Sequence, residues 1–174
     1  MPDDLTSFLR RFDLLDRRIA GWMRRNGPTL LQFSLGVIFI WFGALKFFDG
    51  LSPAESLVRR TVYWFDPDTF IPILGLWEVL IGVGLMVRPL IRGAIFLLFL
   101  QMPGTMMPLI LLPEVCFTSF PFGLTLEGQY IIKNLVLISA ALVIGGTVRQ
   151  DTLPDEREQA IEKEADQEQA VEKA

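Results

Sequence analysis

Three ionisable side chains sit in or at the rim of stretches that otherwise read as hydrocarbon: Lys46 in "FGALKFF", Glu78 in "ILGLWEVLIGVGLMV" and Lys133 in "GQYIIKNLVL". Gln101, Thr105 and Asn134 are their neutral polar company. A charge in lipid is costly, so such residues usually face the bundle interior, paired or wet. Two lysines against one carboxylate leave the group cationic when Glu78 is ionised, which suits an anionic ligand or a quinone oxygen. A protonated Glu78 would instead suit a proton relay, and an ion pair that only fixes helix register would need no ligand. Residue types alone leave all three readings open.

Other chemistries lack their residues. The chain has no histidine and one cysteine, Cys116, so a haem, zinc or iron–sulfur centre held by this chain alone is not expected. No phosphate-cradling glycine loop, nucleophile motif or nucleic-acid-binding pattern occurs. No cofactor is therefore expected on this chain alone; a quinone needs no such ligands. An enzymatic role is not the favoured reading, and would be that of a subunit whose partner carries the cofactor. Cys116 cannot form an internal disulfide; it reads as a reactive thiol or as a small apolar residue in a packed loop.

The elements that must position these residues are membrane spans. The 174 residues are 51% hydrophobic, with a mean hydropathy of +0.41, and the charges concentrate at the two ends. Four apolar runs lie at about 28–48, 70–87, 93–112 and 127–146. Each matches the roughly 20 residues a helix needs to cross about 30 Å of hydrocarbon. A cleaved signal peptide is the competing reading of the first run, but a charged segment precedes it and no small-residue cleavage site follows. The expected fold is an all-α, integral membrane four-helix bundle.

Helix rise places Lys46 roughly 3 Å, Lys133 roughly 9 Å and Glu78 roughly 12 Å below the outer surface. Gly36, Gly43 and Lys46 share one helical face, as do Gly75, Glu78 and Gly82. Those glycines predict close helix contact there rather than lipid. Glu78 and Lys133, similar in depth, are the expected ion pair, between spans two and four; Lys46 either reaches down to them or snorkels to the headgroups. In span three, Pro103 and Pro108 predict a kink that opens a cavity beside Gln101 and Thr105.

Arg10, Arg11, Arg17, Arg18, Arg24 and Arg25 precede span one, Arg88 and Arg92 link spans two and three, and Arg149 follows span four. This bias predicts cytoplasmic termini. Residues 1–27 place Leu5, Phe8, Phe12, Leu15, Ile19 and Trp22 on one face of an arginine-rich helix. It reads as an interfacial amphipathic helix against anionic lipid, with a short coiled-coil seam as the alternative. Residues 28–149 form the transmembrane domain. The tail, 150–174, repeats "EQAIEK" as "EQAVEK" ten residues on and reads as acidic, disordered or partly helical. In the first external link, Ser52, Pro53 and Glu55 have the spacing of a helix start, with Leu57, Val58, Thr61, Val62 and Phe65 expected to lie on the membrane.

"GALKFF" at Gly43, the external helix with Ala54 and Glu55, "GLWEVLIGVGLM" in span two and "GQYIIKNLVLISAAL" at Gly128 together resemble the DoxX-like superfamily of four-helix inner-membrane proteins. The likeness is to the branch containing the reactive-chlorine-resistance inner-membrane protein, and it covers about 33–149. It implies site positions at Lys46, Glu78 and Lys133, a bacterial inner-membrane location, and association with oxidative-stress or quinone-linked redox systems. Asn134 stands where the pattern has an acid, leaving the cluster more positive. The expected function is that of an accessory protein whose outer-half cluster (Lys46, Glu78, Gln101, Lys133, Asn134) takes a small anionic or quinone-like ligand. The alternatives are a subunit of a membrane redox complex and a purely structural subunit. Expected partners are the bilayer and either a membrane redox protein or a second copy.

Overall fold

The computed structural model describes residues 2–150, with side chains over 12–148. The acidic tail beyond Gln150 and the side chains of Leu5 and Phe8 lie outside the described residues. In chain order the helices are α1 (Pro2–Leu45), α2 (Glu55–Thr61), α3 (Pro67–Met86), α4 (Ile91–Met106), α5 (Pro108–Leu111) and α6 (Pro113–Cys116). A short antiparallel hairpin of β1 (Phe117–Ser119) and β2 (Gly123–Leu124) follows, then α7 (Leu126–Ile132) and α8 (Asn134–Gln150). Among the described residues four segments are long and apolar enough to cross a membrane: Phe12–Leu45, Pro67–Met86, Arg88–Leu111 and Leu126–Val148. Large apolar side chains on their outer faces, such as Trp41, Leu80, Phe96 and Val136, are exposed, as expected where the surrounding solvent is lipid.

Helix α1 corrects the boundary expected at Pro28. It runs as one 44-residue helix straight through that proline, about 66 Å at 1.5 Å per residue. Pro28 removes one backbone donor, and in the turn before it the Asn26 side-chain amide donates to the Trp22 carbonyl at 2.9 Å. Phe12, Leu15, Ile19 and Trp22 are exposed on this first part of the helix.

The spans pack in the ring order α1, α3, α4, α8, around Leu35, Phe39, Ile81, Leu85, Leu98, Ala141 and Ile144. The tightest contact is α1 on α3, and glycines make it. A Cβ on Gly43 would lie 2.8 Å from the Gly75 carbonyl oxygen, and one on Gly75 would lie 2.7 Å from that of Gly43. Gly36 and Gly82 form a second reciprocal pair at 3.0 and 2.6 Å. The two glycine faces expected from spacing thus meet each other. At the far end of α3, Gln32 Nε2 donates to the Leu85 carbonyl at 2.6 Å.

Four helix boundaries differ from expectation. Helix α3 starts a turn early because the Asp66 carboxylate accepts from Thr69 N–H at 3.1 Å and Pro67 occupies the first turn. Helix α2 starts at Glu55, and Ser52 does not cap it. Glu55 instead accepts from the Gly50 N–H at 2.8 Å and pairs with Arg59, which also reaches Asp68 at 2.7 Å. Leu57, Thr61 and Val62 are consequently buried against the spans rather than laid on the membrane. The fourth span is broken at Lys133, where Val136 N–H bonds the Lys133 carbonyl in a three-residue turn. In the third span Pro103 stays within α4, and the break falls at Met107, before Pro108.

Candidate functional site

The glycine crossing sets the site. With Gly43 packed on the Glu78 Cβ and Gly75 on the Lys46 Cβ across the antiparallel helices, the two charged side chains meet at the crossing. Lys46 Nζ lies 2.6 Å from Glu78 Oε2, and both residues are buried, 6% and 9% exposed. Gln101 Nε2 donates to the other carboxylate oxygen, Oε1, at 2.8 Å. Lys46 also approaches the Phe42 carbonyl at 3.5 Å. Both Glu78 oxygens therefore carry a donor. One cost is visible: Gln101 Oε1 is buried without a donor, fixed there because Nε2 is committed to Glu78.

This corrects the pairing expected from sequence, Glu78 with Lys133. The depth estimate assumed that the spans end level with one another. Gly75 lies eight residues into α3, so that helix projects about 12 Å beyond the crossing, whereas α1 ends two residues past Gly43. Lys46 is therefore deep, not at the rim, and it takes the carboxylate. The early end of α1 also leaves a space that α2 covers.

That space is a cavity of about 680 Å³, within the roughly 300–1,000 Å³ typical of small-molecule pockets. Its walls are mostly apolar, with Phe42, Leu57, Trp77 and Leu137 among them, and all of the expected polar residues reach it: Lys46, Glu78, Gln101, Thr105, Lys133 and Asn134. Thr105 spends its hydroxyl on the Met102 carbonyl at 2.9 Å. Tyr130, which sequence reasoning did not single out, also lines the cavity, its ring edge-on to Phe42. Its signal was present, since Tyr130, Lys133 and Asn134 are spaced three and four apart, as on one helical face. Lys133 Nζ has no ion-pair or hydrogen-bond partner among the described residues. With Lys46 and Glu78 cancelling, the cavity carries one uncompensated positive charge.

Cys116 lies outside this site. It is fully buried, its thiol directed at the Pro108 carbonyl at 3.5 Å, while its own carbonyl accepts from Thr125 N–H and packs against Gly128. Burial pushes the thiol above its ordinary range, and the nearby acids Glu127 and Glu114 add to this. No group of metal-binding side chains occurs among the described residues. Comparison with known proteins finds no family model, no curated protein and no solved structure that matches the chain.

Proposed function

We propose that this chain is a non-catalytic, four-helix-bundle membrane protein that binds a small amphipathic ligand, anionic or quinone-like, in the cavity above the Lys46–Glu78 pair. The observation that carries the reading is the combination of a cavity about 680 Å³ in volume with an unpaired lysine in its wall. A pair that served register alone would need no such space beside it. The arginine bias around spans one, two, three and four supports cytoplasmic termini with the cavity in the outer half, and the resemblance to the DoxX-like superfamily supports a bacterial inner membrane. The arginines of α1 then meet anionic headgroups. Its resemblance to the DoxX-like superfamily supports an accessory role beside oxidative-stress or quinone-linked redox systems.

Trp64 and Trp77 line the cavity, so their fluorescence reports occupancy. Bromostearate and a decylquinone are titrated into protein in nanodiscs, beside a Gly104→Phe variant. Gly104 lines the cavity and a Cβ there meets nothing within 4 Å, so the ring can fill the space without displacing the spans. Saturable quenching that Gly104→Phe abolishes is the expected result. Equal quenching in both proteins would show that the cavity is not the site.

A further inference from the structure

The polar groups of the cavity divide into two sets. Lys46, Glu78 and Gln101, from the first three spans, are spent on each other. Tyr130, Lys133 and Asn134, all from the fourth, have no side-chain hydrogen-bond or ion-pair partner among the described residues. The polar atoms of Tyr130 and Asn134 are not sealed from the surface, and Lys133 is exposed. Each of the three can donate: a phenol, an ammonium and an amide N–H. The break in the fourth span brings the start of the 17-residue α8 to the same wall.

We infer that the cavity holds the oxyanion head of a membrane amphiphile, a carboxylate or a phosphate ester on an apolar tail, against Lys133, Tyr130 and Asn134. The inference rests on the reading of the cavity as a ligand site and narrows it to one charge class. A neutral head would leave Lys133 without a counter-charge beside the apolar walls of the cavity. A cation is excluded by the same lysine, because both Glu78 oxygens already have donors. One free lysine matches one negative charge, so a fatty-acid carboxylate and a phospholipid phosphodiester are the two sources of this chemistry. The apolar walls take the start of the tail.

The test compares four probes by tryptophan quenching in zwitterionic nanodiscs: bromostearate, its methyl ester, brominated phosphatidylglycerol and a decylquinone. One of the two anions should half-saturate at a concentration at least about tenfold below that of the ester and the quinone, the scale of a charge-assisted hydrogen bond. Which anion does so identifies the source. Lys133→Met should erase that preference, Lys133→Arg should keep it, and Tyr130→Phe should weaken it a few-fold. The ester comparison uses the unaltered protein and so stands even where a variant fails to fold. If ester and anion bind alike, or Lys133→Met keeps the preference, the inference is overturned while the cavity reading survives. If quenching by every probe is unaffected by Gly104→Phe, the cavity reading itself falls.

Discussion

Taking apart the Lys46–Glu78 pair by halves and then whole gives the sharpest test of how the spans are registered. Lys46→Met leaves a carboxylate 9% exposed with only Gln101 as donor; Glu78→Gln leaves an ammonium 6% exposed with a neutral amide in place of its counter-charge and the Phe42 carbonyl 3.5 Å away. Stranding a buried charge costs about 3–5 kcal/mol, and each single variant should lose an amount near the lower end, because groups released within a bilayer find other partners. The double variant removes both charges and should lie within about 1–2 kcal/mol of the parent. Coupling between the two positions should then be at least about 2 kcal/mol in a double-mutant cycle, read by reversible unfolding in mixed micelles. The same cycle with Lys133→Met in place of Lys46→Met should be additive within about 0.5 kcal/mol, since no contact joins Lys133 to Glu78. Coupling below about 0.5 kcal/mol for Lys46, or larger coupling for Lys133, would refute the crossing geometry described above.

Gly43→Ala and Gly75→Ala each place a methyl group within 3 Å of backbone across the α1–α3 contact and should destabilise by about 1–3 kcal/mol. Gly93→Ala meets nothing within 4 Å and should be neutral or stabilising by up to about 1 kcal/mol from helix propensity. The same micelle unfolding distinguishes them. Gln101→Met deletes both a hydrogen bond to Glu78 and a buried acceptor without a donor; the two effects oppose, and the net change should stay within about 1 kcal/mol. Hydrogen bonds from Gly50 N–H and Arg59 hold the Glu55 carboxyl below its ordinary 4.5, and bonds from Thr69 hold Asp66 below its ordinary 3.8. A depressed folded-state value contributes stability that is complete above the ordinary value and is lost as pH falls through the lower one. A melting-temperature series from pH 7 to pH 3 should therefore fall below about pH 4.5, and Asp66→Asn should flatten part of the fall. Cys116 should resist a maleimide at neutral pH in the folded protein and react once it is unfolded, because its thiol is buried and held protonated.

What could be read from sequence is what repeats or what lipid punishes. Four apolar stretches of spanning length are legible because the bilayer fixes that length. The glycine faces of α1 and α3 are legible because their spacing follows the helical repeat. The membership of the polar cluster was legible from the rarity of charge in such segments, but its pairing was not. Pairing depends on how far each helix runs past a crossing, and that is set by local features with little hydrophobic signature: the Asp66–Pro67 start of α3, and the turn at Lys46 that ends α1. Pro28 misled in the opposite direction, because within an otherwise helical pattern one missing donor is tolerated. The break at Lys133 had no proline or glycine to announce it.

The same difference in helix length explains why charge pair and cavity occur together. Because α1 stops just beyond Gly43 while α3 continues, the first lysine after the crossing is held at the floor of a gap, opposite the buried acid of the neighbouring span. The pair neutralises that floor, and α2, tied by Glu55, Arg59 and Asp68, closes the gap from above. Lys133 enters from the fourth span after the carboxylate has been taken, so its charge is left for something else. Perturbations should sort accordingly. Opening the glycine crossing moves floor and gap together and should impair stability and ligand binding at once, whereas changing Lys133 removes a charge that holds nothing in the protein and should alter binding while leaving the fold intact. A Lys133→Met variant as unstable as Glu78→Gln would mean that the fourth span depends on that lysine, and the division of the cavity into a spent and an unspent half would be wrong.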